Sequence, residues 1–227
     1  MKNLVVLTGA GISAESGLKT FRDTDGLWEG YNVYDVATPR GFNTNPEFVL
    51  NFYNERRKDV AKAQPNDAHK GLVTLEQHFN VQIITQNIDD LHERAGSKQV
   101  THLHGEIFNM CSVKNKNKTF PITGDIKLGD LAEDGGQLRP FIVWFEEEVP
   151  MIEVAAQIVE QADIFVVIGT SLQVYPAAGL VNYAPRLIPK YIIDKKIPYT
   201  SSIKQVVSIE KGASEGVKEL IDILTSK

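Results

Sequence analysis

Short apolar runs alternate with segments of helical periodicity along this chain. Residues 4–7 (LVVL) and 164–168 (IFVVI) are unbroken and rich in β-branched side chains, as strands buried on both faces of a parallel sheet are. Shorter apolar runs predict further strands at 81–85, 100–103, 191–193 and 206–209, and residues 141–145 return to the core.

Capping residues mark the helices between these runs. Asn45 as N-cap and Pro46 at the first helical position predict a helix to about residue 63, and residues 65–67 begin another to about residue 78. Further helices are predicted at 89–95, 152–161, 176–184 and 214–224. Strands that alternate with helices predict an α/β protein with a mostly parallel sheet.

Two segments depart from this alternation. Residues 26–41 are rich in aromatic, glycine and turn residues. We predict an irregular lid there, because long loops without regular structure are often functional. Residues 110–139 combine a lysine and asparagine run with several glycines, and they predict a small, weakly hydrophobic excursion from the core.

The first strand leads directly into a glycine-rich loop. Gly9, Gly11 and Ala14 fit the pattern G-x-G-x-x-(G/A), in which glycines let the backbone approach a phosphate and a following helix N-terminus binds the anion. A tight turn without a ligand is the alternative. No second strand follows within the roughly 30 residues of an ordinary dehydrogenase unit. Instead a large insertion begins near Phe21 and Arg22.

Polar residues follow two more of the predicted strands, at 86–89 and at 169–171. The carboxyl ends of parallel strands meet at one edge of a sheet, where ligands bind. For Asp89 alone, capping of the next helix is an equally physical interpretation. Three coincident polar strand ends predict one crevice for an extended ligand, such as a dinucleotide.

The composition of the chain limits the classes of partner and the cellular location that we expect. The 227 residues suffice for one good core, and the net charge of −5 gives no argument for binding nucleic acid. A single cysteine, Cys111, excludes an intrachain disulfide. We find neither a signal peptide nor an apolar stretch of membrane-spanning length, so we expect a cytoplasmic protein that does not associate with membranes.

Four motifs occur in order: T-G-A-G-I-S-A-E-S-G-L-K-T-F-R at 8–22, T-Q-N-I-D at 85–89, H-L-H-G at 102–105 and I-G-T-S-L at 168–172. Together they resemble the sirtuins, NAD-dependent protein-lysine deacylases, of the bacterial type. The resemblance runs from residue 2 to the terminal helix and is weakest at 110–140. It implies a Rossmann-like parallel sheet with helices on both faces plus a small inserted subdomain. The larger part would comprise about 1–30, 65–108 and 141–227, and the subdomain about 31–64 and 109–140.

The resemblance also implies roles for individual residues. Those expected to bind NAD are Gly9, Ala10, Gly11, Ser13, Phe21, Arg22, Gln86, Asn87, Ile88, Asp89, Gly169, Thr170, Ser171, Ile193, Asp194, Lys195 and Ala213. Val143 and Phe145 would receive the substrate, an acylated-lysine peptide or protein, and wall the lysine tunnel. Products would be free lysine, nicotinamide and 2′-O-acyl-ADP-ribose.

His104 matches the catalytic histidine of the family, and Asn87 is expected to be catalytic with it. A base must deprotonate a ribose hydroxyl, and a group with an unperturbed pKa near 6.5 suits that task. Spacing alone leaves another interpretation, because His102 and His104 share one face of a strand, as a metal pair or two structural histidines would. His69, His78 and His92 have no assigned chemistry.

Tyr53 and Arg56 stand at i and i+3 of the predicted helix from Pro46, so they share one face. A phenol and a guanidinium make a carboxylate receptor, and the acidic-acyl branch of sirtuins binds succinyl- or malonyl-lysine with this pair. Ala37 matches a small residue that leaves room for a longer acyl group. In the alternative, Arg56 pairs with a nearby acid and Tyr53 packs in the core.

The chain departs from most sirtuins in its cysteines. Most sirtuins carry two C-x-x-C pairs that bind a structural zinc ion. This chain has only Cys111, so we predict that it binds no zinc. We expect the excursion to be held by packing of Phe120, Ile122, Ile126, Leu128 and Leu131. Other functions kept open are a plain deacetylase, an ADP-ribosyltransferase and a non-catalytic NAD or ADP-ribose sensor; the reaction requires no oligomer.

Overall fold

The computed structural model describes residues 1–19, 27–28, 30–198 and 205–226. The strands are β1 (Asn3–Thr8), β2 (Leu27–Trp28), β3 (Tyr31–Asn32), β4 (Asn80–Thr85), β5 (Val100–His102), β6 (Gly105–Ser112), β7 (Thr119–Pro121), β8 (Leu138–Ile142), β9 (Ile164–Ile168), β10 (Lys190–Ile193) and β11 (Val206–Ile209). The helices are α1 (Val33–Val36), α2 (Pro39–Thr44), α3 (Pro46–Lys62), α4 (Asp67–Leu75), α5 (Leu91–Ala95), α6 (Ile152–Glu160) and α7 (Ala213–Thr225). The predicted strands and most predicted helices are therefore present, with ends shifted by a few residues.

The apolar runs form a six-stranded parallel sheet in the order β11-β10-β9-β1-β4-β5. The chain leaves β1 towards β4 on one side and later returns to β9 on the other side. Such a reversal opens a crevice at the carboxyl ends of the flanking strands. The predicted meeting of three polar strand ends is thus built into the strand order.

Helices cover both faces of this sheet, which confirms the predicted Rossmann-like α/β fold. Leu4 and Val6 of β1 join a core cluster with α4 and α7, whereas Val5 and Leu7 join a second cluster with α6. This alternation follows from the opposite orientation of successive side chains in a strand. No helix in the described part of the chain is long and apolar enough to cross a membrane.

A third cluster joins α1, α2 and α3 to a smaller antiparallel sheet of order β7-β6-β8. Leu50 and Tyr53 of α3 pack there with Ile107 of β6 and with Trp144, which follows β8. This layer lies beside the carboxyl ends of the large sheet, because β6 follows β5 after only two residues. The division into two subdomains with the boundaries given above stays a prediction.

Buried polar side chains of α3 hold the 110–139 excursion. Arg57 donates to the carbonyls of Ile107 (2.9 Å) and Gly124 (3.1 Å) and to Asn54 Oδ1 (3.0 Å). Asn54 in turn exchanges two hydrogen bonds of 2.9 Å with the backbone of Ile126. These bonds tie the segment 107–126 to α3 without a metal ligand.

The predicted packing of the excursion is partly wrong. Ile126 is buried, but Leu128 and Leu131 are 55% and 59% exposed. The physical reason is polar: the Gln137 side-chain amide bonds the carbonyls of residues 127 and 130 and accepts from the Gly129 N–H. These hydrogen bonds between the Gln137 side chain and the backbone hold the turn, so it does not need Leu128 or Leu131 packed in the core.

The predicted irregular lid at 26–41 is also wrong for the part that the structure describes. Leu27–Trp28 and Tyr31–Asn32 form a short hairpin, and α1 and α2 follow. Asn32 caps α1, and Thr38 with Pro39 caps α2, which is an ordinary helix-start signal. The predicted helix at 176–184 is instead a 3-10 helix, Ala177–Asn182.

Candidate active site

One cavity of about 540 Å³ opens where the carboxyl ends of β1, β4 and β9 meet. Every predicted site residue within the described ranges lines it: Gly9, Ala10, Gly11, Ser13, Ala37, Tyr53, Arg56, Gln86, Asn87, Ile88, Asp89, His104, Val143, Phe145, Gly169, Thr170, Ser171, Ile193, Asp194, Lys195 and Ala213. Phe21 and Arg22 lie outside the described residues. Sequence reasoning therefore brought together residues that are up to about 200 positions apart.

The glycines of the first loop pack against the loop after β9. A Cβ on Gly11 would lie 2.6 Å from Gly169 Cα, and one on Gly9 would lie 2.7 Å from Thr170 Cβ. Gly11 also donates a backbone hydrogen bond of 2.9 Å to the Gly169 carbonyl. Gly169 has a φ of +65°, a conformation that glycine adopts at no steric cost. Close contact between the two loops thus accounts for the glycines.

The predicted helix N-terminus beyond these glycines is not formed. Two 3-10 turns, Ala10–Ile12 and Ala14–Ser16, occupy that position. The N–H groups of Gly9, Gly11, Ile12 and Ser13 are all bonded to backbone carbonyls. The predicted helix start is therefore replaced by two 3-10 turns, and these four N–H groups are already used within the protein, whereas binding of an anion by this loop stays a prediction.

Side chains of three segments form a buried polar network at the cavity wall. Asn87 Nδ2 donates to the Gly9 carbonyl and to Ser13 Oγ, both at 3.2 Å, and Ser13 Oγ donates to Asp89 Oδ2 at 3.0 Å. Gln86 Nε2 donates to Thr170 Oγ1 at 3.2 Å. The network fixes the loop after β4 against the loops after β1 and β9.

Asp89 combines this network with the capping role that the sequence left open. Its Oδ1 accepts from the Leu91 N–H at 3.1 Å, so it also supports the start of α5. Burial raises the pKa of its carboxyl group, and the hydrogen bonds from Leu91 and Ser13 oppose that shift.

The ring of His104 is held in one tautomer. Its Nδ1 lies 3.0 Å from the Gln86 carbonyl oxygen, and because a carbonyl only accepts, Nδ1 carries the proton. Nε2 is left with a lone pair at the cavity wall. Burial lowers the pKa of His104, although the bond to Gln86 opposes this. The imidazole is therefore neutral at pH 7 and suited to accept a proton.

His102 makes different contacts, which sequence reasoning missed. Its Nδ1 lies 3.0 Å from the Asn87 carbonyl oxygen, and its Nε2 lies 2.8 Å from Glu93 Oε1. His102 and His104 thus bind the carbonyls of two consecutive residues of one loop. Of the two interpretations left open by spacing, these bonds favour structural histidines over a metal pair.

The opposite end of the cavity is aromatic. Tyr53 is fully buried, and its hydroxyl oxygen accepts from Trp144 Nε1 at 3.0 Å. Burial raises the pKa of Tyr53, and the bond from Trp144 opposes that shift. Arg56 Nη2 lies 2.7 Å from Asp59 Oδ2. Both contacts match the alternative interpretation of Tyr53 and Arg56, although both residues also line the cavity.

Val143 and Phe145 border the cavity between the two ends. The Val143 N–H donates to the His104 carbonyl, and the Phe145 N–H donates to the Ala37 carbonyl, both at 2.9 Å. These amide groups are therefore already used within the protein. The same bonds tie the segment after β8 to His104, just beyond β5, and to the end of α1.

Two further residues of this end were missed. Trp144 was assigned only to the core, and its pairing with Tyr53 spans 91 positions, beyond any local pattern. Asp59 follows Arg56 by three positions, so helical spacing was a signal that we did not use.

Cys111 lies buried in β6. Burial raises the pKa of its thiol, with opposing charge from Arg139 and Lys116. Among the residues that the structure describes, no group of three His, Cys, Asp or Glu side chains has the arrangement of a metal site. Whether the protein carries zinc stays a prediction for metal analysis.

The cavity fits an extended polar cosubstrate such as NAD. Its volume lies within the roughly 300–1,000 Å³ of small-molecule sites. Ser13, Asn87, Asp89 and Thr170 contribute hydroxyl, amide and carboxylate groups to its lining. Ile193 and Ala213 add apolar surface, as an adenine ring prefers.

Comparison with known proteins agrees with this geometry. A family model described as the Sir2 family matches residues 9–176. A protein of Bacteroides thetaiotaomicron called NAD-dependent protein deacylase is 55% identical over 230 residues, covering 99% of this chain and 98% of that protein.

Solved structures show the same fold. A Sir2 homolog–NAD complex has a TM-score of 0.87 at 39% identity, covering 98% of this chain and 89% of that chain. A Sir2 complex with a deacetylated p53 peptide and 3′-O-acetyl ADP-ribose has a TM-score of 0.83 at 31% identity, covering 97% and 92%. With the family model matching well over half of its length, the chain belongs to the Sir2 family, the sirtuins.

Proposed function

We propose that this protein is an NAD-dependent protein-lysine deacylase. It would act on acylated-lysine peptides or proteins and release free lysine, nicotinamide and 2′-O-acyl-ADP-ribose. Family membership and the name of the Bacteroides relative support the reaction class. The p53 peptide in one related structure supports a peptide substrate.

The observation that carries the proposal is the state of His104. Its proton on Nδ1 is committed to the Gln86 carbonyl, and Nε2 is a free base at the wall of the cavity. A sensor that only binds NAD has no need of such a base. His104 would take the proton from a ribose hydroxyl at Nε2, and its lowered pKa keeps it able to do so at neutral pH.

The other residues of the cavity would bind and orient NAD and the acylated lysine. Bound NAD supplies the ribose that receives the acyl group and the nicotinamide that leaves. Asn87, Ser13 and Asp89 would hold the nicotinamide ribose through their shared network. Residues 169–171, with Ile193, Asp194, Lys195 and Ala213, would hold the adenosine half, and Gly9 to Ser13 would border the diphosphate. Val143 and Phe145 would wall the lysine tunnel.

We further propose a preference for succinyl- or malonyl-lysine over acetyl-lysine. Tyr53 and Arg56 both line the cavity, as does Ala37, whose small side chain would leave room for a longer acyl group. The Tyr53 oxygen accepts from Trp144, so the phenol proton remains available to a substrate carboxylate. A plain deacetylase is the second candidate, favoured by the existing pair between Arg56 and Asp59.

We propose that activity needs no oligomer, because the deacylation reaction itself requires none. We place the protein in the cytoplasm, and a single cysteine is in keeping with a reducing compartment.

The test is turnover with NAD of one peptide carrying succinyl-lysine or acetyl-lysine, with nicotinamide and acyl-ADP-ribose detected by mass. Turnover of either peptide supports the deacylase, and NAD binding without turnover contradicts it. Arg56→Met should reduce succinyl turnover far more than acetyl turnover. An equal loss on both peptides would contradict the acidic-acyl preference and leave a plain deacetylase.

A further inference from the structure

Both ring nitrogens of His102 face hydrogen-bond acceptors. Nδ1 meets the Asn87 carbonyl at 3.0 Å, and Nε2 meets the Glu93 carboxylate at 2.8 Å. Neither oxygen can donate, so each contact needs an N–H on the ring. The geometry is therefore that of an imidazolium, whereas a neutral imidazole has one N–H and must give up one of the two bonds.

The charges around His102 favour the protonated ring. Glu93 of α5 makes direct contact, Glu106 of β6 adds a second negative charge, and Asp89 also interacts with the ring. His92 of α5 is the neighbouring titratable base, and burial lowers its own pKa. Burial is the largest single effect and lowers the pKa of His102, but the hydrogen bond and charge of Glu93, the bond to Asn87 and the charge of Glu106 together outweigh it, so the pKa is raised.

The bond to Asn87 acts on the part of the cavity that binds the ribose. Asn87 sends its side chain to Gly9 and Ser13, while its carbonyl is held by His102. His104 holds the preceding carbonyl, that of Gln86. Two histidines thus bind the carbonyls of consecutive residues. His104 does so as a neutral base, and His102 does so as a cation.

We propose that His102 and Glu93 are a positioning pair that holds the segment 87–89 in the shape that binds NAD, and that loss of the His102 proton weakens NAD binding. This inference rests on the proposed NAD-dependent activity. Its consequence is an alkaline limit to activity. His104 must be neutral and His102 must be charged, so the two histidines set opposite sides of a bell-shaped pH profile.

The kinetic test is kcat/KM for NAD against pH. Glu93→Gln should move the alkaline midpoint down by about one pH unit or more, because an opposing charge in contact is removed. The acid midpoint should stay in place. Glu106→Gln is the matched control: it removes the same charge near His102 without a hydrogen bond, so its shift should be smaller.

Variants of His102 separate positioning from simple packing. His102→Gln keeps an N–H donor for the Asn87 carbonyl but does not titrate, so the alkaline limb should disappear. His102→Leu keeps bulk but no donor, and kcat/KM for NAD should fall at all pH values. If Glu93→Gln and His102→Gln leave the alkaline limb of the wild-type protein unchanged, the inference is wrong.

A second measurement does not depend on turnover. In the free protein, nitrogen-15 NMR should find both ring nitrogens of His102 protonated at pH 6, with the amide signals of Ile88 and Asp89 titrating at the His102 midpoint. Glu93→Gln should lower that midpoint. A neutral His102 at pH 6 would overturn the inference even in an active enzyme. Absence of turnover would instead overturn the proposed function, while the NMR result still decides the pair.

Discussion

Asp59 Oδ2 lies 2.7 Å from Arg56 Nη2, and both side chains line the cavity that also contains Tyr53. Arg56 is 17% exposed and Asp59 is 46% exposed, so the pair lies at the edge of the protein interior. An acyl group with a distal carboxylate must share or replace Asp59 at the guanidinium. The acid within the cavity therefore opposes the acidic-acyl preference that Arg56 favours.

We predict that Asp59→Asn sharpens this preference. Pairs of this exposure contribute roughly 0.5–1 kcal/mol, which corresponds to about a two- to fivefold lower KM for a succinyl-lysine peptide. KM for the acetyl-lysine peptide should stay unchanged, because acetyl carries no charge. Glu55→Gln, which removes a partner of Lys58 elsewhere on α3, is the control. Equal changes on both peptides would show that Asp59 does not compete with the substrate.

His104→Ala should reduce kcat by about 10²- to 10⁴-fold, the usual contribution of a positioned general base. Binding of NAD, measured by calorimetry, should be retained, since Asn87, Ser13 and Asp89 keep their own network. In the wild-type protein the midpoint of the acid limb of the pH profile should lie below pH 6.5, because burial lowers the pKa of His104. Retained turnover in the variant would exclude His104 as the base.

The location of the site was predictable from the sequence, because it depends only on which strands end in polar residues and on how parallel strands pair. Polar residues follow three strands, and parallel strands place those ends together. The detailed role of the loops was not. Gly11 meets Gly169 across 158 positions, and that contact by itself leaves no room for a side chain at Gly11. A local pattern does not contain its distant partner.

The acyl end shows the same limit. Helical spacing predicted that Tyr53 and Arg56 share one helix face, and both residues line the cavity. The bond from Trp144 to Tyr53 depends on how the smaller sheet packs on α3, which no spacing rule gives. Leu128 was predicted to be buried because it is apolar. Hydrogen bonds of the Gln137 side chain hold that turn instead, and Leu128 is exposed.

Acid should destabilise the folded protein through a buried histidine pair. His69 and His92 pack edge to face with ring centroids 4.9 Å apart, and both are buried. Burial lowers the pKa of His69 to about 4 and also lowers that of His92. The unfolded chain therefore binds protons first, and stability is lost as the pH falls from about 6.5 towards 4. His69 contributes no more than about 3 kcal/mol to this loss.

The measurement is the urea midpoint against pH for the wild-type protein and His69→Gln. Glutamine at this helix position can still reach back to the Asn66 N–H, the bond that His69 makes now. The variant should show a flatter decline between pH 6.5 and 4, whatever its stability at pH 7. His78→Gln, at an exposed position, should keep the wild-type slope. An identical slope in His69→Gln would exclude this origin of acid sensitivity.

Arg57 should be critical for the excursion that lacks the usual cysteines. Arg57→Leu would leave the carbonyls of Ile107 and Gly124 without their buried donor, and one or more unpaired buried groups cost about 3 kcal/mol. We expect a lower urea midpoint and faster hydrogen exchange in 105–142 than in β1, β4 and β9. Lys58→Ala is the matched control, because it removes the neighbouring cation, which pairs with Glu55 and Asp125 at the surface. Near-wild-type exchange in Arg57→Leu would show that the bonds of Arg57 are not needed to hold this segment.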